Sequence, residues 1–177
     1  VHTSTDPRFG AGRSAAVVVA STSAAAGQAE DRTGPLLVDW LTGRGYDCPA
    51  PLVVADGEPV AEALRTLLED RPPVDLPRIL VTTGGTGINP SDRTPELVEP
   101  FLDRPMPGIM HALWSAGMES VPTAVLSRGV AGVRGRTFIV TLPGSPGGVH
   151  DGIAVLDGLL SHLQAQLEGI RDHGGRP

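Results

Sequence analysis

Arg78-Ile79-Leu80-Val81-Thr82-Thr83-Gly84-Gly85-Thr86-Gly87 is the stretch on which the fold turns. Its first half, Arg78 to Thr82, is a continuous aliphatic and β-branched run, which predicts a strand buried on both faces. That run passes without a linker into Thr83-Gly84-Gly85-Thr86-Gly87. Glycines let a backbone turn tightly and approach a ligand closely, and successive N–H groups in such a turn form an anion nest. Taken alone, the same cluster is equally well an ordinary turn. Beyond it, Thr94-Pro95 predicts a helix start, with threonine as N-cap and proline at the first helical position, running to about Leu102.

Working outward toward the N-terminus, Ala15 to Ala20 is a second continuous apolar run and predicts another buried strand. Ser21 to Arg32 is small and polar, hence a loop. A helix starts at Gly34, carries Leu37, Trp40 and Leu41 on one face, and is stopped by Gly43 and Gly45. Leu52 to Ala55 predicts a buried strand ending at Asp56-Gly57. A helix with Val60, Ala63, Leu64 and Leu67 in phase follows, and Pro72-Pro73 breaks it. Toward the C-terminus, Pro105 and Pro107 separate the Thr94 helix from one over Ile109 to Met118. Ala124 to Leu126 and Phe138 to Val140 predict two more strands around the glycine- and arginine-rich Gly129 to Arg136, a turn or hairpin loop. Pro143 to Gly148 opens a last helix, with Val149, Ile153, Leu156, Leu160, Leu163, Leu167 and Ile170 on one stripe. The order predicts a single α/β domain of three layers, a mostly parallel sheet with helices on both faces. The expected boundaries are a disordered N-terminal arm over 1–13, the domain over 14–172 and a frayed tail over 173–177.

Composition narrows the chemistry. Of 177 residues 40% are hydrophobic, enough for a sizeable core, but only 3% are aromatic, so that core is aliphatic. The net charge of −6 argues against non-specific nucleic-acid binding and against an anionic membrane surface. All 14 basic residues are arginine. Without lysine there is no P-loop and no Schiff-base chemistry, so any phosphate must be held by arginine, backbone N–H groups, hydroxyls or a metal. Cys48 stands alone, which rules out an internal disulfide and a cysteine zinc cage. No apolar run reaches membrane-span length, and Val1 to Gly12 has no signal-peptide core, so the expected location is cytoplasmic.

Ligands of such sheets bind outside the C-terminal ends of the strands. Five groups of residues fall there in the predicted order. They are Asp31, then Asp56, then Gly84-Gly85-Thr86-Gly87 with Asp92, then Ser127-Arg128, then Pro143-Gly144-Ser145. Asp56 and Asp92 beside a phosphate cradle would repel an anion unless a cation lay between them. They are either a magnesium pair, since Mg²⁺ takes one or two carboxylates plus substrate phosphates, or separate turn and helix caps. Arg128 offers a planar fork to phosphate, or else a structural ion pair. Pro143-Gly144-Ser145 leads into a helix N-terminus that favours an anion, or simply turns the chain with Ser145 as cap. The five histidines show no metal-ligand spacing.

Thr83-Gly84-Gly85-Thr86-Gly87 followed by Asp92-Arg93-Thr94-Pro95-Glu96 resembles the TGGTG…D-x-T-P-E signature of the MogA/MoaB molybdopterin adenylyltransferases. Pro107-Gly108, Pro122 to Gly129 and Leu142 to Pro146 are similar to further family elements in the same order. Asp31-Arg32-Thr33-Gly34 is similar to its early D-x-S/T-G element, and Asp56 matches an aspartate after the second strand. The resemblance covers about Ala15 to Ile170. It implies a trimeric fold shared with the gephyrin N-terminal domain, and adenylylation of molybdopterin by Mg-ATP with release of pyrophosphate. It further implies Asp56 and Asp92 as catalytic, magnesium-linked carboxylates and Gly85, Thr86 and Gly87 as a phosphate cradle. Ser127, Arg128 and Pro143-Gly144-Ser145 would hold the pterin or its phosphate, and product would pass to a MoeA-type molybdenum-inserting partner. His111 and Trp114 stand where the family usually has an acidic residue and an arginine. That departure motivates a second expectation, a non-catalytic paralogue that binds and carries molybdopterin.

Overall fold

The computed structural model describes residues 8–169. Its strands are β1 (Ala15–Ala20), β2 (Leu52–Val54), β3 (Ile79–Thr83), β4 (Arg104–Pro105), β5 (Ala131–Arg134) and β6 (Thr137–Leu142). Its helices are α1 (Thr22–Ala25), α2 (Gly34–Gly43), α3 (Glu58–Leu68), α4 (Thr94–Val98), α5 (Pro107–Ser120), α6 (Pro146–Asp157) and α7 (Leu160–Leu167). One sheet runs in the order β2-β1-β3-β6-β5-β4. The pairs β2–β1, β1–β3 and β3–β6 are parallel, with Val18 opposite Leu52, Val17 opposite Val81 and Ile79 opposite Phe138. The pairs β6–β5 and β5–β4 are antiparallel.

Side chains alternate across a strand, and β1 shows what that does here. Ala15, Val17 and Val19 enter one core with Leu37 and Leu41 of α2, Leu113 of α5 and Val149 and Leu156 of α6. Ala16, Val18 and Ala20 enter a second core with Val60, Leu64 and Leu67 of α3 and Val98 of α4. A sheet with an apolar core on each face is the three-layer α/β architecture expected from the continuous apolar runs.

Several local expectations are corrected. β2 is an edge strand with Leu52 43% exposed, so it is not buried on both faces. Pro122–Leu126 is a 3₁₀ turn, not a strand, and Val125 and Leu126 are exposed. Pro122 has no N–H to give a ladder, and its fixed φ suits the first position of a helical turn. The strand forms instead from Ala131–Arg134, inside the expected loop, and the turn shrinks to Gly135-Arg136, with Gly135 at φ 55°. Glycine at the first central position suits a two-residue hairpin. Thr94 is buried within the first turn of α4 and is not its cap. The last helix breaks at Gly158, a poor helix former, into α6 and α7. The Ser21–Arg32 loop contains α1, capped by the Ser21 hydroxyl accepting from the Ala24 N–H at 3.3 Å.

Arg8 to Arg13, read as part of a disordered arm, are docked. The Gly10 N–H donates to the Arg44 carbonyl at 2.8 Å, and Phe9 meets Tyr46 edge-on at 6.0 Å. Arg13 forks onto Glu168, with Nε to Oε1 at 2.7 Å and Nη2 to Oε2 at 2.5 Å. The buried aromatic contact and the paired arginine hold what polar composition alone left open. Residues 1–7 and the expected tail at 173–177 lie outside the described residues.

Candidate functional site

The ends of β1, β3 and β6 meet as bare backbone. Gly84 has φ +90°, and a Cβ there would lie 2.2 Å from the Ala20 carbonyl oxygen. A Cβ on Gly144 would lie 3.0 Å from the Gly84 Cα. The Gly84 N–H donates to the Leu142 carbonyl at 3.2 Å, and the Thr83 hydroxyl donates to the Pro143 carbonyl at 2.7 Å. The loops after these strands therefore leave from almost one point.

Two cavities open around that point. The polar one, about 770 Å³, is lined by Asp31, Asp56, Asp92, Gly84, Gly85, Gly144 and Ser145, with Thr22, Glu30 and Arg32 among its other walls. The apolar one, about 520 Å³, is lined by Thr86, Gly87, Ser127, Pro143 and Ser145 together with Met110, Leu113, Trp114 and Leu126. The single pocket expected from sequence is thus two compartments. The glycine loop contributes to both and Ser145 belongs to both.

Asp56 and Asp92 flank the glycine loop. The Asp56 Oδ2 accepts from the Thr22 N–H at 3.0 Å and hydroxyl at 2.7 Å. Its Oδ1 would lie 3.1 Å from a Cβ on Gly85, and Asp92 Oδ2 would lie 2.7 Å from one on Gly87. Each glycine lacks a side chain where a carboxylate comes in. Among the described residues, Asp92 Oδ2 accepts a single long bond, from the Asn89 N–H at 3.3 Å. Among the described residues no three His, Cys, Asp or Glu side chains group as a metal cage. The Asp56 and Asp92 carboxylates on this wall are hard oxygen donors, the kind that Mg²⁺ takes together with water and phosphate.

The other expected residues divide. Asp31 caps α2: its Oδ1 accepts from the Thr33 and Gly34 N–H groups at 3.0 and 2.9 Å, while its buried Oδ2 has no partner among the described residues. Ser145 caps α6, accepting from the Gly148 N–H at 3.2 Å. Arg128, expected to help hold the pterin or its phosphate, lines neither cavity. Its guanidinium donates to the Gly87 carbonyl at 2.8 Å, to the Asp92 carbonyl at 2.5 Å and to the Glu96 carboxylate. Those bonds occupy the fork and make it a clamp on the Gly87–Asp92 segment. The hydrogen bond from Arg128 holds the Glu96 carboxyl below its ordinary range. Ser127-Arg128 also reaches the site from a 3₁₀ turn, not from a strand end. His111 is exposed and lines neither cavity.

Four further residues belong to the site beyond those predicted to form it, Trp114 among them, which the sequence marks only as a departure from the family. Thr22 holds Asp56 in place. Arg32 is the cation that lines the acidic cavity. Thr94 places a buried hydroxyl, without a hydrogen-bond partner among the described residues, against Gly85. Trp114 walls the apolar cavity, and the helical phase of Met110, Leu113, Trp114 and Gly117 carried that signal.

The sequence model of the family described as "Probable molybdopterin binding domain" matches residues 16–162, most of the chain. The chain belongs to this molybdopterin-binding family. It is 39% identical over 166 residues to the molybdenum cofactor biosynthesis bifunctional protein of Synechococcus elongatus, an alignment covering 93% of this chain and 50% of that relative. It is 33% identical over 162 residues to the molybdopterin adenylyltransferase of Haemophilus influenzae, covering 90% of this chain and 73% of that protein. Among solved structures, the molybdopterin biosynthesis Mog protein of Mycobacterium ulcerans superposes with a TM-score of 0.81 at 48% identity, covering 88% of this chain and 99% of that one. The chain spans about half the length of the bifunctional relatives it matches. Within this molybdopterin-binding fold, no described helix is long and apolar enough to cross a membrane.

Proposed function

We propose that the chain catalyses adenylylation of molybdopterin by Mg-ATP, in the cytoplasm and as a homotrimer, within molybdenum-cofactor biosynthesis. The observation that carries this reading is the paired site: an acidic, backbone-rich cavity beside an apolar one, joined through the glycine loop and Ser145. Two unlike substrates need two unlike compartments. A nucleoside triphosphate suits the polar side, where the Gly85 backbone lines the wall and Arg32 brings positive charge. A pterin suits the apolar side, with Thr86 and Ser127 hydroxyls at its rim. One terminal phosphate oxygen of molybdopterin forms the new P–O bond at the α-phosphorus of ATP. The α–β bridging P–O bond breaks, and pyrophosphate leaves with that electron pair. Such an in-line transfer needs positioning and charge stabilisation, with no covalent enzyme intermediate.

Asp56 and Asp92 would hold the Mg²⁺, with Thr22 fixing the rotamer of Asp56. Bound there, the ion would offset phosphate charge that three cavity-lining aspartates otherwise repel. Arg128 keeps the segment bearing Asp92 in register. Product would pass to a MoeA-type partner for metal insertion. The test is purified protein with molybdopterin and Mg-ATP, assayed for adenylylated pterin and pyrophosphate. Asp56→Asn and Asp92→Asn are each expected to lower turnover about 100-fold or more while molybdopterin still binds. An active wild type with both variants equally active would overturn the mechanism.

One observation favours a second reading, a non-catalytic carrier of molybdopterin. Among the described residues that line the apolar cavity there is no arginine, and Trp114 stands where the family usually has one. Tight molybdopterin binding without pyrophosphate release under Mg-ATP would select that reading.

A further inference from the structure

We infer that Trp114 is a specificity-determining residue of the apolar compartment: its ring forms a wall for the planar heterocycle, and its N–H positions the Ser127 backbone. The inference rests on the proposed placement of the pterin in that cavity. Trp114 lies on α5 and lines the cavity. The indole Nε1–H donates to the Ser127 carbonyl oxygen at 2.8 Å. The Ser127 hydroxyl meets the Thr86 hydroxyl at 3.1 Å, and the Arg128 N–H donates to the Thr86 carbonyl at 2.9 Å. A continuous chain of bonds thus runs from α5 through Ser127 to the glycine loop.

Two physical facts follow from the side chain. An aromatic wall recognises a flat heterocycle by stacking, which tolerates variation in the edge groups. A fixed guanidinium in this place would recognise an anionic group instead. Trp114 therefore favours recognition in this compartment by ring shape over charge. Leu113 and Met110 have no donor, so of these three side chains the indole supplies the bond to the Ser127 carbonyl.

The chain has two tryptophans, and the other, Trp40, donates its N–H to Asp157 at 3.0 Å and lines neither cavity. Each indole can therefore be read separately. In Trp40→Phe protein, molybdopterin without ATP is expected to change the emission of Trp114. In Trp114→Phe protein it is expected to leave Trp40 unchanged. Trp114→Phe keeps a ring and loses the N–H, so molybdopterin is expected to bind up to about tenfold more weakly. Trp114→Leu loses both and is expected to bind roughly 30-fold more weakly, with the KM for ATP held within about twofold. Hydrogen exchange at residues 126–129 is expected to quicken in Trp114→Phe, a readout that needs no ligand. Trp40→Phe protein that binds molybdopterin with unaltered emission, or a Trp114→Leu variant that binds as tightly as wild type, would overturn this inference and leave the proposed function standing. Failure of wild type to bind molybdopterin would overturn both.

Discussion

A methyl group on Gly84 would lie 2.2 Å from the Ala20 carbonyl oxygen, on a backbone whose φ of +90° already disfavours any side chain. Both penalties act at once, the left-handed backbone and the collision with rigid strand backbone. Gly84→Ala is therefore expected to cost more than about 2 kcal/mol, read as a lower urea midpoint at unchanged slope. An alanine variant as stable as wild type would show that β1 and β3 do not close on each other as described. Gly85 differs in kind, because the atoms its methyl would strike are the Thr94 hydroxyl and the Asp56 carboxylate. At that position the missing side chain makes room for chemistry. Arg128 is the converse case, a cation whose fork is already spent on two carbonyls and a carboxylate.

Among elements, β2 and β3 look alike in sequence and differ in surroundings. Leu52 of β2 is 43% exposed at the sheet edge, whereas Leu80 of β3 is wholly buried between β1 and β6. Leu80→Ala is expected to cost roughly 2–5 kcal/mol, since it removes apolar burial and leaves a cavity. Leu52→Ala is expected to cost less than about 1 kcal/mol, because the side chain has little burial to lose. Denaturant unfolding of the two variants checks this directly, and equal losses would contradict the edge position of β2. The Pro122–Leu126 turn matters for another reason. By coiling where a strand was expected, it carries Ser127 against Trp114 and Thr86. Without that turn the apolar compartment would lose one wall.

Across the whole molecule, the two ends of the described chain are tied together. Arg13 pairs with Glu168 just beyond α7, beside Tyr46, whose buried hydroxyl has no partner among the described residues and whose pKa is pushed up by burial. The hydrogen bond from Arg13, with further attraction from Arg13, Arg78 and Arg136, holds the Glu168 carboxyl below its ordinary range against desolvation. A carboxyl whose folded pKa is depressed stabilises the fold above its unfolded pKa, about 4.3, and loses that contribution as pH falls through the folded value. Glu168→Gln is therefore expected to lower the melting temperature at neutral pH and to converge on wild type in acid below that range. Melting curves across pH check this, and a variant deficit that grows in acid would reverse the assignment.

The continuous apolar runs, the phase of the helices and the linked glycine, Asp-Arg-Thr-Pro and Pro-Gly-Ser elements made the parallel sheet and the loops of the site legible from sequence alone. Those signals are local: burial on both faces leaves no alternation, and a turn with positive φ calls for glycine. Tertiary structure alone decided which strand was an edge, and it seated Arg8 to Arg13 through contacts with residues far along the chain. It also divided the site into two compartments, because Ser145 and the glycine loop divide the space only once β1, β3 and β6 converge. The same convergence turned Arg128 into a clamp and Trp114 into a wall. A side chain's role there depends on which backbone carbonyl lies within about 3 Å of it, and that distance is set by elements distant in sequence.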